Sequence, residues 1–266
     1  MNAIIALVSA SACLSFRPIL GGNTLRMDDW NRTADYMNEN KETLYLPGNT
    51  TPPDQPHVNW GWHAGGEVVM MVEGFGYGTS LMYLKAFGSS WDYSTDDSLG
   101  HIDRERDFSS SAIAWDNNIY MGKSPFTFIA GLGLYWPSMG FGYHSLRDNG
   151  YEYTVKTSFS GFGWGWHLGG QFSVPGVPVA LSLQYRHARI GGLMGNYLKD
   201  DNGSVTEWDN ARLGFHETGD EQYYFFNWDE YWEMPDGFRD GTLDFSGFYL
   251  GIIFNIGDLG MGACLE

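Results

Sequence analysis

The chain of 266 residues contains no uncharged apolar run approaching the roughly 18 residues of a membrane helix, so any crossing of a membrane must use strands. Basic residues are scarce, with 15 Lys and Arg against 32 Asp and Glu. The resulting formal charge of −17 argues against nucleic acid as a partner and toward cations, basic partners or plain solubility. No stretch rich in Pro, Ser or Gly is long enough to act as a linker, which favours one domain. Glycine and aromatics are abundant instead: 36 Gly, and 17% Phe, Trp and Tyr. Glycine is costly in helices, and together with aromatics it suits curved, closely approaching strands, so an all-β chain is expected.

Reading with a period of two shows the same division many times. Phe162, Trp164, Trp166, Leu168, Phe172 and Val174 share one face, while Gly161, Gly163, Gly165, His167, Gly169, Gln171 and Ser173 share the other. Phe126, Phe128, Ala130, Leu132, Leu134 and Trp136 oppose Thr127, Gly131, Gly133 and Tyr135. Val179, Leu181, Leu183 and Tyr185 oppose Ala180, Ser182, Gln184 and Arg186, and Phe248, Leu250, Ile252, Phe254 and Ile256 oppose Gly247, Tyr249, Gly251 and Asn255. Residues 58–72 and 108–121 divide likewise, and 12–20 and 76–90 complete a set of eight strands. Connections alternate in length: 73–75, 123–125 and 175–177 are tight turns, whereas 21–57, 91–107, 141–156 and 192–241 are long. In an up-and-down antiparallel barrel this puts all short turns at one end and all long loops at the other. A row of Phe, Trp and Leu would overfill a narrow barrel that Gly, Ala, Ser and a few charges fit, so the apolar face is expected outside. The alternative is a lipocalin-like soluble barrel with that face inside.

The stretch Tyr249-x-Gly251-x-x-Phe254-x-Ile256 is similar to the C-terminal β-signal read by the barrel assembly machinery, although GDLGMGACLE follows it here. With the strand pattern of residues 12–256, the chain resembles the small eight-stranded outer-membrane β-barrel proteins of Gram-negative bacteria. The resemblance implies an eight-stranded antiparallel up-and-down transmembrane β-barrel with long extracellular loops, located in the bacterial outer membrane. It also implies contact with outer-membrane lipid and lipopolysaccharide. It brings little function, because such barrels include adhesins, structural proteins, small transport proteins and a few lipid-modifying enzymes. In this division residues 12–256 form the barrel domain and 257–266 a tail. Residues 1–11 fit a truncated secretory signal, with Ala10-Ser11-Ala12 of cleavage-site type but no basic start; the competing reading is that residues 3–20 belong to the first strand.

The heptapeptides GWHAGGE (61–67) and GWHLGGQ (165–171) are nearly identical. On the second and sixth of eight strands, His63 and His167 are expected on opposite walls, facing one another across the lumen. With Glu67, a His/His/carboxylate metal site can be drawn. The reading carried forward is a packed polar network of His63, Glu67, Asp116, His167, Gln171 and Arg186, joined by Arg17, with no metal and no cofactor. Such a plug disfavours a diffusion pore; a narrow transport or ligand-binding barrel lined by those groups is the alternative.

The 192–241 segment carries twelve acids against Lys199, Arg212 and Arg239, together with Trp208, Tyr223, Tyr224, Trp228, Tyr231 and Trp232. Acids interleaved with exposed rings suit an extracellular protein, a glycan or a cation, and a self-packed acidic cap is the alternative. Asn202-Gly203 is expected at a hairpin tip, with strands seven and eight prolonged beyond the membrane. Met27, Trp30, Ala34 and Met37 predict a short helix in the first loop, capping the barrel mouth, with Asp28 and Asp29 favoured by its dipole. His144-Ser145 resembles half of a hydrolytic triad, but in a chain with seven His such a pair arises easily by chance, and no enzymatic activity is expected. Cys13 and Cys264 flank the closing seam and are expected within reach of a disulfide; lipidation of Cys13 is the competing reading.

Overall fold

The structure, a computed structural model, describes residues 13–40, 53–97, 100–218, 221–227 and 237–258. In chain order the elements are β1 (Cys13–Thr24), α1 (Asp28–Glu39), β2 (Trp60–Val72), β3 (Phe75–Ala86), β4 (Ser89–Asp97), β5 (Gly100–Lys123), β6 (Phe126–Arg147), β7 (Glu152–Ser160) and β8 (Gly163–Ser173). They continue with β9 (Val179–His187), β10 (Arg189–Ile190), β11 (Met194–Asp201), β12 (Ser204–Thr218), β13 (Glu221–Asn227), β14 (Phe238–Asp240), β15 (Leu243–Asp244), β16 (Gly247–Phe254) and β17 (Ile256–Asp258).

Eight of these strands, β1, β2, β3, β5, β6, β8, β9 and β16, pair antiparallel in that order. The pairing of β16 with β1 closes the ring, so the expected eight-stranded barrel is observed. Closure removes the unpaired edges that an open sheet would present. The connection between β2 and β3 turns tightly because its residues accept positive φ. Glu73-Gly74 adopts φ 47° and 85°, as a two-residue hairpin turn of the primed type requires.

The faces divide as their chemistry demands. Trp164, Leu132 and Leu250 point out of the barrel and are 68%, 62% and 60% exposed, whereas the small and ionic residues alternating with them are turned inward. β3, whose pattern is ambiguous in the sequence, exposes Phe75, Tyr77, Leu81 and Tyr83 and buries Gly76, Gly78, Ser80, Met82 and Leu84.

Three segments read from the sequence as loops are largely strand, which corrects that reading. Residues 91–107 belong to the β4–β5 hairpin, 141–156 to the β6–β7 hairpin, and 192–241 supply β11, β12, β13 and β14. Above the barrel the order is β4-β5-β6-β7-β11-β12-β13, a second, open sheet that grows out of the wall through β5 and β6. Asn202-Gly203 is the tip of β11–β12, with φ 53° and 90°. That hairpin does not prolong barrel strands seven and eight, however, because β11 pairs with β7 in the upper sheet.

The helix expected in the first loop is α1, and Trp30 and Ala34 are buried with Met27 just before it. Trp30 stacks on Phe108 with ring centroids 4.0 Å apart. Around this pair a second core forms from inward residues of the upper sheet and the barrel mouth, among them Leu84, Met139, Phe159, Leu213 and Phe245. The sequence reading missed this core because it took the inward face to be polar along the full length of every strand.

Candidate functional site

The polar side chains inside the barrel form two clusters. The lower one is centred on Glu67. Its carboxylate accepts from Asn118 Nδ2 at 2.7 Å and from the Tyr120 hydroxyl, and it lies 3.7 Å from Arg17 Nη1. Arg17 also donates to Gln171 and, through Nε, to Asn255 at 3.1 Å, with its guanidinium over the Tyr120 ring. The upper cluster is centred on Asp116, which accepts from Arg186 Nη1 at 2.6 Å and from Ser80 Oγ at 3.4 Å. Arg186 donates further to the Tyr135 hydroxyl and to Gln184 Oε1, and lies over the Tyr249 ring. Asn118 also meets His167, whose Nε2 is 2.7 Å from Asn118 Oδ1. All six residues expected in the lumen are inside it and buried, but His63 packs against the Tyr249 ring, with centroids 5.3 Å apart, outside both hydrogen-bonded clusters. Asn118, Tyr120, Tyr135 and Tyr249, which complete the clusters, were missing from the expected set. An inward-facing Tyr or Asn at period two is a signal for them.

The doubled heptapeptide has a geometric reason. His63 pairs across the ladder with Gly21, and His167 with Gly131. A Cβ at Gly21 would sit 2.6 Å from His63 Cε1, and one at Gly131 would sit 2.4 Å from His167 Nε2. Each imidazole thus lies over a glycine of the preceding barrel strand. The following glycines match too: Gly65 is crowded by Met82 and Gly169 by Gln184, at nearly the same distances. The barrel consequently carries two equivalent four-strand halves at this level. Among the described residues no three His, Cys, Asp or Glu side chains gather as a metal would require.

The other expected residues are placed as follows. Tyr249 points inward and donates to the Phe245 carbonyl at 2.7 Å, Gly251 borders His63, and Phe254 and Ile256 face outward. Trp208 is half-buried against Tyr197 in the upper sheet. Tyr223 and Tyr224 lie on β13, opposite His216 and Phe215. Trp228, Tyr231, Trp232 and Cys264 lie outside the described residues, as do residues 1–11 and most of the 257–266 tail; Cys13 opens β1 opposite Met71. His144 Nδ1 is 3.0 Å from Thr154 Oγ1, and Ser145, the next residue of β6, takes the opposite face.

A third polar cluster, which sequence reading missed, ties the helix to the segment before the last strand. The buried carboxylate of Asp29 accepts from Arg239 through Nη1 at 2.8 Å and Nη2 at 2.6 Å. It also accepts from the Thr242 amide and hydroxyl at 2.9 and 2.8 Å and lies 3.4 Å from Arg189. The hydrogen bond to Asp29 holds the Arg239 pKa further up, and the hydrogen bond from Arg239 holds Glu217 below the usual carboxylate range. Arg239 and Arg32 both reach Glu217.

At the β4–β5 tip, His101 Nδ1 is 2.8 Å from Asp96, and Asp103 is 3.4 Å from Nε2. The Asp96 hydrogen bond, aided by nearby carboxylates, raises the His101 pKa above the ordinary 6.5. A raised folded-state value means that the contribution to stability is complete below 6.5 and fades as pH rises through the folded value. Titration of the ring by NMR is expected to give a midpoint above 6.5 that falls back in D96N; a midpoint at or below 6.5 in the unaltered protein would refute the pairing.

Comparison with known proteins finds no matching family model, no matching curated protein and no matching solved structure.

Proposed function

We propose that this chain is an integral barrel of a bacterial outer membrane, akin to the small eight-stranded barrels of Gram-negative bacteria. In this reading it is a surface protein without catalytic activity, whose upper sheet serves adhesion, partner binding or envelope organisation. The reading is carried by an exchange of polarity along one continuous strand. At one end β5 turns Asp103, Glu105 and Asp107 outward; at the other it turns Ile113, Trp115, Ile119 and Met121 outward. A wall standing in water along its whole length has no reason to reverse its outer face halfway. Hydrocarbon below Ser109–Ser111 and water above supply that reason.

The dimensions agree. The outward apolar stretch from Phe126 to Trp136 spans about 11 residues, which at about 3.3 Å each and a tilt of roughly 40° rises about 28 Å. That is close to the roughly 25 Å band of outer-membrane barrels. Trp60, Trp62, Trp136 and Trp164 are exposed near one edge of the band, and Phe75 and Phe126 near the other, as in the aromatic girdles that flank the apolar band of such barrels. The packed lumen favours a surface role over a diffusion pore. Outward acids of the upper sheet, including Asp92, Asp103 and Glu105, suit a basic protein surface or cations.

The test is Leu132→Arg, at the middle of the apolar band. In a bilayer the substitution is expected to cost at least about 2 kcal/mol of folding stability. For an exposed site in water the expectation is within about 0.5 kcal/mol. Urea unfolding from lipid vesicles, with vesicle flotation as the check on insertion, reads the difference, and a harmless L132R would defeat the membrane reading.

A further inference from the structure

The two equivalent halves of the barrel allow one seam to be compared with another. In the first half the ladder between β2 and β3 continues through Trp62↔Lys85 and Gly61↔Ala86, and the Phe87 amide donates to the Trp60 carbonyl at 2.9 Å. In the second half the corresponding ladder between β8 and β9 stops at Trp166↔His187. β8 nevertheless runs on through Gly165, Trp164 and Gly163, which pair with β6 on one side only. The chain after His187 stays instead with the segment before β16. The Phe245 amide donates to the Ala188 carbonyl at 2.9 Å, and Arg189 and Ile190 pair with Asp244 and Leu243. The wall is therefore parted at its rim between the sixth and seventh strands.

The parting is a groove of about 310 Å3. Gly163, Gly165 and Ile190 form its floor, Phe162 and Trp164 flank one side, and His187 and Arg189 flank the other. The floor is as thin as a backbone permits: a Cβ at Gly163 would lie 2.6 Å from Ile190, and one at Gly165 would lie 2.4 Å from the His187 carbonyl. Phe162 and Trp164 are among the most exposed rings of the outer wall, so this end of the groove is continuous with the apolar band. At the other end Arg189 also borders a second cleft, of about 570 Å3, shared with Arg32 and Arg239. Glu217 and Asp240 line that cleft too, and Arg32 and Arg239 are taken up by Glu217 and Asp29, so the guanidinium that faces the apolar groove is that of Arg189. Arg189 uses Nε on Thr242 and Nη2 on Asp29 and keeps 41% of its side chain exposed, so further donors of its five remain for an incoming anion.

We propose that this groove holds one membrane lipid with an anionic phosphate headgroup, its acyl chain along Trp164 and Phe162 and its phosphate on Arg189. The assignment rests on the membrane reading above. A guanidinium presents a planar fork that phosphate oxygens match, and rings at the rim supply a surface for the chain that free phosphate would not use.

The full chain in non-ionic detergent, analysed by native mass spectrometry with phosphatidylglycerol, phosphatidylcholine or inorganic phosphate added, tests the proposal. One phosphatidylglycerol is expected to be retained, and phosphatidylcholine about fivefold less. R189Q and W164S are each expected to lower phosphatidylglycerol retention about fivefold and R189K less, while W60S, the matching ring of the closed seam, leaves it unchanged. Equal retention of the two lipids, an unaffected R189Q, or an equal loss in W60S would overturn the assignment. Inorganic phosphate competing as well as the lipid would overturn the role of the chain. Vesicle flotation separates the two levels: protein that floats yet retains no lipid loses only this site, whereas protein that does not float loses the membrane reading as well.

Discussion

Replacing Arg186 with Met is expected to cost the folded barrel about 3–5 kcal/mol, because the substitution leaves Asp116 charged and buried with no cation to compensate it. Both partners of this pair are almost completely withdrawn from solvent, and the bond between them, 2.6 Å long, is the shortest in the upper lumen cluster that Ser80, Tyr135 and Gln184 complete. The double variant D116L/R186M removes both charges together and is expected to regain most of the loss, since an apolar pair of similar volume does not need the compensation that ions do. Urea unfolding of the refolded chain, followed by tryptophan fluorescence, gives the comparison. If R186M were as stable as the unaltered chain, or the double variant were worse than R186M, the account of the lumen as a paired plug would fail.

Asp29→Ala is expected to loosen the layer above the barrel and leave the barrel itself folded. The buried carboxylate accepts four hydrogen bonds shorter than 3.0 Å from Arg239 and Thr242, and the helix has no comparable anchor in its own capping, since Met27 at its N-terminus makes no side-chain cap bond. Breaking a buried pair costs about 3–5 kcal/mol, and the lower end applies here because Arg239 and Arg189 are part-exposed and can turn to water. That corresponds to about a hundredfold rise in amide hydrogen exchange for residues 28–39, at about 1.4 kcal/mol per tenfold change. D29N, which keeps acceptor oxygen for Thr242 but not the charge, is expected to fall between the two. Unchanged exchange in D29A, or loss of the barrel along with the helix, would refute the anchoring role.

The parts of the fold that depend on local pattern were legible. Period-two division identifies the barrel strands because each outward residue meets the same surroundings as the next but one. Asn202-Gly203 marks its hairpin because those two residues accept positive φ. The upper strands carried an equally regular signal with the polarity reversed. Tyr153, Val155, Thr157 and Phe159 alternate with Glu152, Thr154, Lys156 and Ser158, and Ile102 and Phe108 face away from Asp103, Glu105 and Asp107. A search for an apolar outer face passes over them. Asp29 was legible only as an acid favoured by a helix dipole, because Arg239 lies 210 residues away and nothing local names it. The same holds for the inner network: His63 and Glu67 could be placed in the lumen, but which glycine lies under an imidazole depends on register, and register is fixed by the whole ring closing.

The two longest strands have a mechanical implication. β5 and β6 pass unbroken from the barrel into the upper sheet and stay paired from Ile102↔Arg147 down to Lys123↔Phe126. A pull on the upper layer therefore runs along the length of that ribbon. It loads the rungs between the two strands side by side, in shear, instead of peeling them apart one after another. The upper layer is tethered by the barrel's own staves, so a load on it reaches the barrel without a separate stalk.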